Sequence, residues 1–181
     1  GLYIQDAAKG AYRNGSLGMI GGVDTFMSQN IPTHTVGVAT GTPLVNGAAQ
    51  VSTYASVKDT MTQTLNTDGW TNSTTGILKA GDVFTIANVY AVNPVTKATL
   101  PFLKQFTVTA DADSGASTGP AALTIYPAII TSGAYQNVSA APADNAAITV
   151  VGTGGTGYRQ NLVFHKNAFA LVMVPLIKPP G

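Results

Sequence analysis

Few residues in this chain are of types and spacings that could do chemistry. Gly152, Gly154 and Gly157 match the GxGxxG pattern and follow a strand-like run. A dinucleotide site built on that pattern needs a helix opening at the last glycine, a later strand, and an acid about twenty residues on. The last acid of the chain is Asp144, which precedes the glycines, so the stretch reads as a loop. Asp111, Asp113 and Gly115 resemble the start of a calcium loop. No bidentate acid follows at the required spacing, and a solvated turn is the better reading. His34 and His165 are the only histidines, too few for a metal triad without an aspartate. His165 lies between apolar runs and reads as a structural or edge residue. The chain has no Gly-x-Ser-x-Gly elbow and no glutamate, which removes the commonest general bases after histidine. Asn14, Asn72 and Asn137 open Asn-x-Ser/Thr triplets, a pattern that arises by chance in a chain so rich in these residues. The reading is of a non-enzyme with no catalytic residue, cofactor or metal.

The composition narrows the classes further. At 181 residues the chain can build one good core, or a compact domain with a second, partial one. Apolar residues make up 45%, an ordinary share, but charged residues only 9%, against roughly 25% in a typical soluble domain. All eight acids are aspartate, and twenty-four threonines and twenty glycines take the place of helix-forming charged residues. Threonine and valine favour strands and glycine favours turns, so the chain leans towards β structure. A net charge of +1, with no two basic residues adjacent, gives no footprint for nucleic acid or an acidic membrane. The lack of cysteine excludes disulfides and thiolate metal sites and fits a reducing compartment. No run approaches the ~18 apolar residues of a membrane helix, and no signal peptide is evident. Starting at Gly1, the chain reads as a fragment or processed product. Its low charge fits either a subunit covered by neighbours, where unpaired charge would be costly to desolvate, or a secreted β-domain kept soluble by hydroxyls and amides.

The remaining elements are arranged around residues 78–92. Lys79-Ala80-Gly81-Asp82 supplies a tight turn, with Gly81 and Asp82 as its turn residues. Alternation from Val83 to Val92 predicts a half-buried strand. Phe84 and Ile86 share one side with Tyr90 and Val92, and Thr85 and Ala87 share the other with Val89 and Ala91. Asn93-Pro94 ends the strand. Before it, Ile4–Asn14 has helical spacing and an Asn14-Gly15 stop, and residues 18–32 read as a turn and a strand containing Val23 and Phe26. Gly41-Thr42-Pro43 signals a turn and Asn46-Gly47 a tight hairpin. Val51–Val57 reads as a strand, Asp59–Leu65 as a strand or a helical turn, and Asp68-Gly69-Trp70 as the start of a loop. Phe102–Ala110 alternates again, 111–120 is a loop, and Ala122–Tyr126 is a strand stopped by Pro127. Asn137–Ser139 and Ala146–Val151 read as short strands. In the most apolar stretch, Leu162–Phe164 and Ala170–Val174 read as strands flanking a bend at Lys166-Asn167. Trp70, Phe84, Ile86, Phe106 and Val108 are the expected core, and no internal repeat stands out.

The order of these segments resembles the coat proteins of P22-like tailed bacteriophages. Ala11-Tyr12-Arg13-Asn14-Gly15 followed by Gly21-Gly22-Val23-Asp24 resembles the approach to their inserted domain. Leu78-Lys79-Ala80-Gly81-Asp82-Val83-Phe84 is similar to the Leu-Lys-x-Gly-Asp turn of that domain. Phe106-Thr107-Val108 and Leu123-Thr124-Ile125-Tyr126-Pro127-Ala128 are similar to the strands that follow, and the stretch from Asn161 to Ala170 resembles the return to the main fold. The resemblance runs from about Ala7 to Leu176 and implies a mainly β chain, α+β overall. An inserted antiparallel β-barrel at 33–157 would be flanked by partial HK97-type axial-domain segments at 1–32 and 158–181. It further implies a structural major capsid protein that assembles with its own copies into hexamers and pentamers. Scaffolding protein would assist in the bacterial cytoplasm, and the product would be the icosahedral virion head. No charged loop matches the family's capsomer-bridging loop clearly, and 111–120 is only a weak candidate. Taken without the resemblance, the Thr/Gly/Asn texture also suits an adhesin or fibre module.

Overall fold

Threonine, valine and glycine leave the backbone few options besides strands and tight turns, and strands dominate the computed structural model. It describes residues 15–173; the helix expected at Ile4–Asn14 lies outside them. The described chain divides into two compact units, Thr33–Tyr158 and the residues on either side of it.

In the flanking unit, β1 (Ser16–Ile20) pairs antiparallel with β2 (Val23–Phe26). Gly21 and Gly22 make the turn, both at positive φ (57° and 83°). The single strand expected over 18–32 is therefore a hairpin. The strands expected at Leu162–Phe164 and Ala170–Val174 do not form over the described residues up to Met173. Only the bend between them is present, where the Ala168 amide donates to the His165 carbonyl at 2.8 Å. An apolar run becomes a strand only when a neighbour completes its ladder, and Leu162, Val163, Leu171 and Val172 are exposed.

The larger unit holds β3 (Thr33–Thr35), β4 (Gly41–Val45), α1 (Tyr54–Val57), β5 (Gln63–Trp70), β6 (Val83–Val92), β7 (Thr99–Val108), β8 (Ala121–Tyr126) and β9 (Ile148–Val150). β10 (Gly157–Arg159) pairs with β3 in a ribbon of its own. The other six strands form one antiparallel sheet in the order β4-β5-β8-β7-β6-β9. Its edges meet through a Leu44–Ala147 bridge and a 2.9 Å bond from the Val45 amide to the Ala146 carbonyl. The result is a nearly closed barrel. Phe84 and Phe106 face each other across β6 and β7 with ring centroids 5.8 Å apart, within the range of favourable aromatic pairs. Val45, Leu65, Ile77, Leu78, Leu123 and Ile125 fill the rest of the interior.

β6 spans the predicted residues, but its faces differ from the alternation read in the sequence. Asn88 adopts φ 64° and the register with β7 shifts between Thr85 and Tyr90. This β-bulge resets the phase. Val89 and Ala91 thus join Phe84 and Ile86 inside, and Tyr90 turns outward.

Several local signals are overridden by tertiary pairing. Gly41-Thr42-Pro43 begins β4 instead of turning, and Pro43 falls in the register skip between Gly41 and Leu44, a bulge that needs no ladder donor. Asp68-Gly69-Trp70 ends β5 instead of opening a loop. Gly69 (φ 74°) lies so close to β4 that a Cβ there would come within 2.3 Å of the Thr42 carbonyl oxygen. Asn46-Gly47 does not close a two-residue hairpin, because the Gly47 amide donates to Asp144 and the chain wanders through α1 before β5. In Val51–Val57, the Ser56 amide and hydroxyl both bond the Thr53 carbonyl, local bonds that favour a helical turn over a ladder. Val57 then packs with Met61, Ala128 and Ile130 in a small second cluster. Asn137–Ser139 is not a strand but a single bridge from Val138 to Ala91.

Candidate functional site

The expected core residues lie as follows. Phe84, Ile86, Phe106 and Val108 are wholly buried and Trp70 nearly so. The Trp70 indole N–H donates to Thr67 Oγ1 at 2.9 Å, and that hydroxyl donates to the Ala121 carbonyl at 2.9 Å. Each buried polar atom of the pair thus has a partner. The backbone of Trp70 also needs Gly119 beside it, since a Cβ at 119 would lie 1.9 Å from the Trp70 carbonyl oxygen.

The most chemically distinctive place is the turn feeding β6. Asp82 is buried, and its carboxylate is wholly shielded from solvent. Oδ1 lies 2.6 Å from His34 Nε2, while Oδ2 accepts the Gly37 amide at 2.9 Å and the Lys79 amide at 2.7 Å. An ionised carboxylate can only accept, so Nε2 carries the hydrogen. Gly81 (φ 100°) makes room for the imidazole, because a Cβ there would approach His34 Cε1 to 3.2 Å. The turn is in turn held to β7: the Gly81 amide donates to the Val108 carbonyl, and the Val108 amide to the Asp82 carbonyl, both at 2.8 Å. Asp82 thus gathers the β3 side chain, the strand's exit and the turn around one buried charge. Burial of such a charge is tolerable only with this number of donors.

In the sequence Asp82 reads as a turn residue, and nothing near it points to its partner. His34 and Asp82 are 48 positions apart, and only the fold brings them together. The other candidates do not join this site. Asp111 Oδ1 accepts the Ala80 amide at 2.9 Å and Asp113 Oδ1 the Gly76 amide at 2.6 Å. These acids dock the 111–120 loop onto the preceding loop, and no group of three or more possible metal ligands occurs among the described residues. Of the glycine-rich stretch, Gly152 and Gly154 lie in the loop that joins β9 to β10, and Gly157 opens β10. His165 is exposed, and its Nδ1 accepts the Asn167 amide at 3.3 Å within the local bend. Hydrogen bonds from Thr153 hold the Tyr158 phenol below the usual tyrosine range, and burial lowers the Lys104 ammonium. A shallow depression lined by Asn46, Asn66, Thr67, Pro120, Ala121 and Ala122 presents no ionisable side chain. What this arrangement can do is hold backbone segments in register; its imidazole and carboxylate are directed at each other and at backbone amides.

A family model described as "P22 coat protein - gene protein 5" matches residues 3–180. A protein named "Major capsid protein" from Acyrthosiphon pisum secondary endosymbiont phage 1 is 29% identical over 188 aligned positions, covering 98% of this chain and 44% of the relative. The chain therefore spans less than half the length of that relative. Among solved structures, the "CUS-3 coat protein I-domain" is 30% identical, with a TM-score of 0.40, covering 62% of this chain and 96% of that one.

Proposed function

The chain belongs to the P22 coat-protein family, and from that we propose that it is part of a major capsid subunit of a tailed bacteriophage. The observation that carries this reading is the extent of the family match, which runs through the barrel and both flanks. Under this reading residues 33–157 are an inserted β-barrel, and 1–32 with 158–181 are segments of an HK97-type axial domain. Whole subunits associate with their own copies into hexamers and pentamers and close an icosahedral head, with scaffolding protein as the assembly partner in the host cytoplasm. The interactions are heterologous contacts that close into rings. A chain with 9% charged residues and a net charge of +1 suits such burial between neighbours, since desolvating unpaired charge opposes assembly.

The barrel's role in this reading is to give the subunit an early, self-sufficient core. The β6–β7 and β7–β8 pairings are close in sequence and cheap to close, and the long-range pairings of β5 with β8 and β6 with β9 then complete the barrel. The test is electron microscopy of the full-length parent protein, expressed with and without its neighbouring genes. Shells, or irregular polyheads without scaffold, are expected; dispersed monomers under every condition would overturn the capsid reading. In the same system Phe84→Ala should lower the yield of assembled particles, and an unchanged yield would remove the folding role from the barrel.

A further inference from the structure

The β3–β10 ribbon is built differently from the barrel beside it. Its strands form a sheet of their own, extended by bonds from the Val36 amide to the Thr156 carbonyl and from the Gly155 amide to the Val36 carbonyl, both 3.1 Å. Thr33, Thr35, Gly157 and Tyr158 are exposed, and Val36 is the ribbon's buried apolar side chain. Segments with few buried apolar contacts and exposed backbone hydrogen bonds open at lower free energy than a core. The position of Asp82, by contrast, is set by the barrel through the paired Gly81, Asp82 and Val108 backbone groups. Two of the three donors to its carboxylate, His34 Nε2 and the Gly37 amide, come from β3 and the residues just after it.

We propose that the β3–β10 ribbon is a strap that opens and closes against the barrel as a unit, with the His34–Asp82 hydrogen bond as its latch. The latch is a hydrogen bond to a charged acceptor, stronger than one between neutral groups. It ties to the barrel a ribbon through which the chain both enters and leaves that unit.

Native-state hydrogen exchange of the 181-residue chain, read by NMR, tests it with His34→Ala and His34→Gln. In His34→Ala the Val36 and Gly155 amides should exchange roughly ten- to a hundredfold faster, while the amides of β5 and β8 keep their rates. His34→Gln retains a side-chain N–H for Asp82 and should exchange more slowly at Val36 and Gly155 than His34→Ala. Equal acceleration in β5 and β8, unchanged Val36 and Gly155, a Gln variant as fast as the Ala variant, or unfolding of the barrel in both would each overturn the proposal.

Discussion

At the scale of single residues, the chain uses its sparse charge where backbone must be held. Three aspartates, Asp82, Asp111 and Asp113, accept backbone amides of residues 76–80, so they act as braces for the turn into β6. Asp82 is the buried one, and Asp82→Ala would leave the buried Gly37 amide without its acceptor and take one from the part-buried Lys79 amide and imidazole. A loss of about 1–3 kcal/mol is expected from the unsatisfied buried donor, read as a lower denaturation midpoint. Asp111→Ala removes one exposed bond and should cost far less, so similar losses would refute the distinction. Lys104 presents the opposite case. Burial disfavours its ammonium in the folded chain, so the folded state releases this proton at lower pH than the unfolded state. The penalty is present while the lysine is charged and disappears as pH rises into the usual lysine range. Lys104→Met should therefore raise the melting temperature at neutral pH, with a gain that shrinks as the pH becomes alkaline. A constant or negative gain would contradict this.

At the scale of elements, bulges do the aiming. β6 would bury Tyr90 and expose Val89 if it ran straight; the left-handed residue Asn88 exchanges them. Asparagine tolerates that conformation and β-branched residues do not. Asn88→Val should cost about 1–2 kcal/mol through backbone strain, whereas Asn88→Gly should be tolerated. Denaturant titration distinguishes the two, and equal tolerance would argue that β6 can run without the bulge. The same logic explains why Asp68-Gly69-Trp70 and Gly41-Thr42-Pro43 resemble turns in sequence. Glycine and proline mark a bulge within paired strands as readily as a loop, and their local chemistry is the same in both. A partner strand decides between them.

At the scale of the whole molecule, the two units differ in how they bury their apolar residues. In Thr33–Tyr158 most of the large buried side chains converge on the barrel core, beside a small second cluster around Val57. In the other, Leu17, Met19, Phe26, Leu162, Phe169 and Leu171 are exposed. Brief chymotrypsin digestion should therefore cut first at Phe164 and Phe169 and leave a resistant fragment close to 33–158. Early cleavage within β6 or β7 would show that the barrel lacks the stability its core implies.

The β class, the long strand at 83–92, the turn at Gly81-Asp82 and the family likeness could all be read from residue types and order, because alternation and turn chemistry are local properties. Trp70, Phe84, Ile86, Phe106 and Val108 stand out there as core candidates, while Ile77, Leu78, Val89 and Ala91 join the core only in the fold. Tertiary structure alone decided which way β6 faces after Asn88, which glycines sit in bulges, and that His34 meets Asp82. It also left 161–173 without a strand partner among the described residues. Each of these depends on groups far apart in the chain, and the free energy of a buried charge or an unpaired ladder is determined only by what the fold places beside it.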